Sequence, residues 1–223
     1  MKKRILIIFM SIIILIVLTA CGASQVLLNE TATPVPTSTP LPTSTPTPIP
    51  GFAKFEAENI EIWLPDSFSG GDLENDLDVI VNRIKSLGPQ YEQMAEQIKA
   101  NPSAFVLWAF DSNIGSSGGL TNVNIGHEQV ISAMTEEMYV EAIKRQLPSS
   151  FIVSDPKEVK LGPYDALQLI IQFNQSGISA KELYYVIKNN DIIWGITYST
   201  GADEFNDRLP VFEQSAQTFY IHP

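Results

Sequence analysis

The sequence predicts an α+β domain built on a mostly antiparallel sheet covered by helices. Three observations predict it. The last third of the chain reads as successive strands, Tyr164 to Phe173, Leu183 to Ile187 and Ile192 to Tyr198. Short turns join them, and strands joined that way pair antiparallel. Two stretches upstream carry apolar residues at helical spacing, and such faces must be buried against a sheet. Both patterns fall within residues 52–223, a length that suits one domain.

The elements follow in order. Phe52 to Ala57 and Ile60 to Leu64 read as paired strands, with Ile60, Ile62 and Leu64 alternating with Glu61 and Trp63. Pro65-Asp66-Ser67 ends that run, and Gly70-Gly71 reads as a loop. Asp72 is placed to cap a helix, and Leu73, Leu77, Ile80, Ile84 and Leu87 form its apolar face. Gly88-Pro89 stops it. Tyr91, Met94, Ala95 and Ile98 mark a shorter second helix, with Gln93 and Gln97 on its exposed side. These helices form a hairpin, and a ligand or partner groove is expected between it and the sheet.

Ala104 to Phe110 and Leu120 to Ile125 read as strands; Val123 and Ile125 alternate with Asn122 and Asn124. Thr135 starts a helix buried through Tyr139, Ala142, Ile143 and Leu147, and Pro148 ends it. Phe151 to Ser154 and Glu158 to Leu161 precede the closing strands. Asn189-Asn190 suits a tight hairpin, because asparagine tolerates positive φ. Thr200 and Asp203 have capping-box spacing for a last helix carrying Phe205, Leu209, Phe212 and Ala216, which Pro210 would kink or divide.

The start of the chain speaks to location. Lys2, Lys3 and Arg4 precede an apolar run, Ile5 to Leu18, which is shorter than the roughly 20 residues of a membrane span. Leu18-Thr19-Ala20-Cys21 follows. This segment resembles the lipobox signal of bacterial lipoproteins. The resemblance implies a signal peptide over 1–20 and a lipid, such as diacylglycerol with palmitate, on Cys21. Cys21 is the only cysteine, so disulfides and multi-cysteine metal sites are excluded. The expected location is a bacterial membrane on its extracytoplasmic face, at the cell surface or in the periplasm.

Residues 21–51 then form a Thr/Pro-rich linker. Thr31 to Pro50 holds seven prolines and seven threonines and no charge, a composition that cannot build a core. As polyproline helix at about 3.1 Å per residue it spans roughly 60 Å. It reads as a spacer or a glycosylated stalk.

Cleavage removes three basic residues and no acidic one, leaving 11 basic against 25 acidic residues and a net charge of −14. Phosphate backbones and anionic lipid heads repel such a domain, so nucleic acid is excluded as a partner.

Candidate chemistry is sparse. Gly115-Ser116-Ser117-Gly118-Gly119 matches the Gly-x-Ser-x-Gly elbow, but a strand follows it where the elbow needs a helix. Ser117 with His127, read as lying just past a strand end, is the candidate hydrolase pair. His222 is penultimate, where order is usually poor. Asp72, Glu74, Asp76 and Asp78 resemble the start of a calcium loop, but Leu77 and Arg83 replace its glycine and glutamate. An acidic helix start is the alternative to weak divalent-cation binding. Tyr184, Tyr185, Trp194 and Tyr198 read mainly as sheet packing. No cofactor fingerprint, P-loop or zinc spacing is present, and one modest domain lacks the two-lobed cleft of a transporter's solute receptor.

Residues 52–223 resemble the PsbP/Mog1-like superfamily. The likeness lies in the strand ending at Leu64-Pro65, the Gly162 to Ala166 strand, Tyr185 with Trp194-Gly195-Ile196-Thr197, and a closing helix that ends at Thr218-Phe219. Phe68 stands where the family has tryptophan, and the 73–100 hairpin is added. The resemblance implies an α/β/α sandwich and a non-enzymatic partner of other proteins; with no credible catalytic set, the leading reading is non-catalytic binding of a protein partner or small ligand. Together these readings make the chain a membrane-anchored lipoprotein with a non-catalytic binding domain; the alternatives are the surface hydrolase and the cation site at 72–78.

Overall fold

The computed structural model describes residues 49–175 and 177–223. The signal, Cys21 and the linker up to residue 48 lie outside the described residues.

The chain opens on a hairpin, β1 (Phe52–Ala57) and β2 (Ile60–Pro65). Next come β3 (Phe68–Asp72), α1 (Leu73–Ser86) and α2 (Glu92–Ala100). β4 (Leu107–Asp111) and β5 (Asn122–Gln129) lead to α3 (Glu136–Gln146). β6 (Ile152–Val153), β7 (Lys157–Leu161), β8 (Tyr164–Gln175), β9 (Ile178–Asn189) and β10 (Ile192–Gly201) follow. α4 (Phe205–Ala216) and β11 (Tyr220–Ile221) close the chain. The main sheet runs β3-β4-β5-β10-β9-β8-β6, with β7 also on β8; β1-β2-β11 form a second, small sheet. All pairings among the described residues are antiparallel, which is the α+β class expected.

The layers differ from a sheet with helices alone on both sides. One face of the main sheet is covered by the small sheet together with α4. Trp194, Ile196, Tyr198, Val123 and Ile125 meet Ile62, Leu64, Phe212 and Phe219 there in one dry core. The other face carries two separate clusters. α1 and α2 bring Ile80, Ile84, Ala95 and Ile98 onto Trp108, Phe110 and Leu120. α3 brings Val140 and Ile143 onto Leu169, Ile171 and Val186.

Several local expectations need correction. Gly70-Gly71 is strand, not loop: β3 is the sheet edge, and Gly70 is required because a Cβ there would meet the Trp108 carbonyl at 2.3 Å. β5 continues through His127 to Gln129, because β10 offers a partner along that whole length. β9 starts at Ile178, five residues before Leu183. The last helix is not capped by Thr200, which lies in β10 with its hydroxyl 2.7 Å from that of Thr121; Glu204 precedes the helix without a side-chain cap. Pro210 sits inside α4 without dividing it. The end of the chain is ordered by β11, and the His222 amide donates to Asn59 O at 2.7 Å. Other signals act as read. Asp72 accepts from the Glu74 amide at 2.8 Å, Thr135 caps α3, and Asn190 takes φ 57° at the β9–β10 turn.

Candidate ligand-binding site

Between the two clusters on the second face lies a cavity of about 270 Å³. Its floor follows from strand alternation. Along β5 the residues facing it are Asn122, Asn124, Gly126 and Glu128; along β10 they include Gly195, Thr197 and Ser199. Their neighbours Val123, Ile125, Trp194, Ile196 and Tyr198 point into the dry core. Small side chains leave the floor low. Gly195 has a packing role: a Cβ there would come 2.9 Å from the Tyr184 hydroxyl, whose ring lies across the strand.

The walls are the helices. Met94, Ile98 and Phe105 close the hairpin side, with Gln93 and Gln97 among the lining residues. Gln97 is therefore half-buried beside the cavity rather than on a plain outer surface. The hairpin is held in place by a Lys85–Glu96 ion pair at 2.5 Å and by the Tyr91 hydroxyl, which donates to Gly118 O at 2.9 Å. Tyr139 of α3 and Phe173 of β8 form the opposite wall.

The electrostatics of the floor are unusual. Glu182 of β9 lies beside Ser199 in register, and Ser199 hydrogen-bonds its carboxyl. Part of the side chain faces the cavity, but Oε2 is closed off from solvent and has no hydrogen-bond partner. Burial pushes the Glu182 pKa up to about 7, against the opposing effect of Ser199. Nearby, Tyr184 hydrogen-bonds Tyr139, whose hydroxyl donates to Glu128 Oε2 at 3.1 Å at the more exposed end. Burial, reinforced by Glu128, pushes Tyr139 up; burial also raises Tyr184, with Tyr139 and the two carboxylates adding. Both phenols stay neutral. The lining contains no lysine or arginine among the described residues.

The hydrolase pair and the acidic cluster singled out from sequence do not make this site, although His127 and Tyr184 are among its lining residues. Ser117 and His127 do not form a pair. The Ser117 hydroxyl donates to Glu204 Oε1 at 3.0 Å and accepts from the Gly119 amide at 3.1 Å. His127 is exposed, stacks on Trp194 at 4.7 Å and faces Glu58. Ser117 sits against Gly201, seven residues along β10 from Trp194, which opposes His127. At about 3.3 Å per residue that is roughly 23 Å, far beyond hydrogen-bond reach. Burial tends to raise the Glu204 pKa, but the Ser117 amide and Arg208 outweigh it and hold the carboxyl below its ordinary value. The glycine-rich loop is thus a buttress between α2 and α4, and β5 follows it.

The 72–78 acids form a helix start. Asp72 caps α1 and also accepts from Asn75 Nδ2 at 2.6 Å, while Glu74 and Asp76 lie in the first turn. Ligand atoms of Glu56, Glu61 and His222 do gather within 4.8 Å. Lys54 already supplies a cation there, 2.5 Å from Glu56 and 3.8 Å from Glu61. No described helix is long and apolar enough to cross a membrane.

Reading by residue type overlooked Glu182, Ser199, Thr197 and Tyr139 as site residues. The available signal was the polar register of the central strands, Asn122-x-Asn124 and Thr197-x-Ser199.

No protein-family model matches this sequence, and no curated protein matches it. Several solved structures resemble the fold, three of them as follows. One is LpqN of Mycobacterium tuberculosis, involved in cell envelope biogenesis, at TM-score 0.49 and 10% identity over 74% of this chain and 83% of that one. The second is the cyanobacterial PsbP, CyanoP, of Synechocystis sp. PCC 6803, at 0.48 and 12% over 82% and 99%. The third is PA94 of Pseudomonas aeruginosa, at 0.41 and 14% over 77% and 98%.

Proposed function

We propose that this chain is a lipid-anchored, extracytoplasmic lipoprotein whose domain binds a small molecule, without catalysis, in the cavity between the α1–α2 hairpin, α3 and the sheet. The observation that carries the reading is the cavity floor. Asn122, Asn124, Glu182, Thr197 and Ser199 set a row of polar side chains under the helices, against a roofed space. Buried polar groups of this kind are normally satisfied, and leaving one unmade costs about 1–3 kcal/mol. A bound molecule would satisfy them. Binding without catalysis is supported by the separation of Ser117 from His127 and by the Ser199 hydroxyl, which is committed to Glu182. Anchoring is supported by Leu18 to Cys21, and the spacer would hold an acidic domain clear of the bilayer.

Native mass spectrometry of the protein extracted from its own membranes in mild detergent tests the reading. The expected mass lacks residues 1–20, carries an acyl-modified Cys21, and includes a fraction with one extra small molecule. Asn124→Trp, which fills the cavity, should remove that molecule and leave the anchor. An empty cavity under all release conditions would refute binding, and an intact signal would refute the anchor.

A further inference from the structure

We propose that the cavity takes a small organic cation, a protonated amine on an apolar body, with Glu182 as its counter-ion. The inference rests on the binding reading above and names the class of ligand.

The charges around the site point one way. Glu182 lies on the floor and Glu128 stands at the more exposed end, and no lysine or arginine among the described residues lines the space. An anionic ligand would meet two carboxylates without a counter-charge. A cation entering past Glu128 would be drawn inward. At the floor the Glu182 carboxyl lines the cavity, accepts from Ser199 and has no ion-pair partner among the described residues; its Oε2 is enclosed by protein. An ammonium in the cavity supplies the missing charge, and a buried carboxylate is stable only when paired. A neutral alcohol does not supply that charge.

The walls suit the rest of such a ligand. Tyr184 and Tyr139 line the space beside Glu182, with Trp108, Phe105 and Phe173 further round. Cations are attracted to aromatic faces, and more strongly once desolvated. The Tyr184 and Tyr139 hydroxyls are engaged in the chain to Glu128, so the rings are fixed in place. The rise in the Glu182 pKa is what an unpaired buried carboxyl produces, and a bound cation would reverse it.

Calorimetric titration of the full lipidated chain in nanodiscs provides the test. The probes are hexylammonium, benzylammonium and 2-phenylethylammonium chlorides, their matched alcohols and their matched carboxylates. At pH 8 the primary amines remain protonated, as lysine does. At least one ammonium should bind roughly tenfold or more tightly than its alcohol, and no carboxylate should bind better. Glu182→Gln in identical discs should abolish the preference, which separates it from partition into lipid. Selectivity in the parent chain decides the matter even if that variant folds poorly. Equal binding of alcohol and ammonium would overturn the cation assignment and leave the cavity reading standing. Preference for a carboxylate, or a preference that survives Glu182→Gln, would also overturn it. No binding by any probe at millimolar concentration would overturn both.

Discussion

The two faces of β5, β10 and β9 are made from alternate residues of the same segments, and they have opposite characters. On one face Trp194, Ile196 and Tyr198 interlock with α4 and the small sheet, and rings stack in sequence: Tyr198 on Phe212 at 5.0 Å, Trp194 near Phe219 at 6.1 Å. On the other face their neighbours are Gly195, Thr197 and Ser199, and no helix lies directly on them. The covering helices rest instead at the two ends, where the sheet is apolar: α1 and α2 on Trp108 and Phe110, α3 on Leu169 and Ile171. The comparison teaches that helices settle where they can bury apolar surface. A polar, low-profile patch between two such places is left roofed but unfilled. One face thus supplies stability and the other supplies a site.

That division can be broken on the stabilising side first. Phe212 is 2% exposed and lies on Tyr198. Phe212→Ala should cost about 3–5 kcal/mol, as large-to-small core changes do, measured by urea denaturation. A cost comparable to that of a surface substitution would mean that α4 does not seal the dry core.

The cavity face should respond in the opposite direction. The Glu182 pKa of about 7 stands above its ordinary 4.5, so the folded chain holds that proton more tightly than the unfolded chain. Its contribution to stability is therefore greatest at low pH and falls as pH rises from about 4.5 to about 7. Glu182→Gln removes the fall. The variant should be more stable than the parent at pH 8, by on the order of 1–3 kcal/mol, and the gap should close near pH 4.5. Denaturation at both pH values checks this, and a gap that ignored pH would show that the carboxyl is solvated.

The smallest effect concerns the roof. Asp72 holds the α1 start through the Glu74 amide. Asp72→Ala should cost roughly 1 kcal/mol and should speed hydrogen exchange in residues 73–100 more than in β9 and β10. Uniform acceleration would mean that the hairpin is not a separable cover.

Much of this was legible in the sequence for local reasons. Helix caps at Asp72 and Thr135, the stop at Gly88-Pro89 and the Asn189-Asn190 turn depend on contacts within a few residues, and each acts as its chemistry requires. Features that needed a distant partner were misread. The Gly70-Gly71 strand exists because β4 comes close enough to exclude a side chain, and β5 extends past His127 because β10 runs alongside it. The Ser117 loop matches a catalytic motif locally, and the strand predicted after it already argues for a plain hairpin loop; the distance to His127 is set by the whole sheet.

The sequence by itself determined the α+β class, the helix and strand periods, and the acidic charge. Each of these is a property of composition or of spacing along the chain. It also placed the polar residues of β5 and β10 on one face, since alternation fixes which side chains share a side. It could not say what lay over that face. Polar alternation on a strand normally faces water, and nothing in the spacing of Asn122, Asn124, Thr197 and Ser199 marks them as an exception. Only the tertiary structure decided otherwise. The apolar undersides of α1, α2 and α3 found their partners at the two ends of the sheet, and in doing so enclosed the polar middle together with a buried carboxyl that the chain alone leaves unpaired.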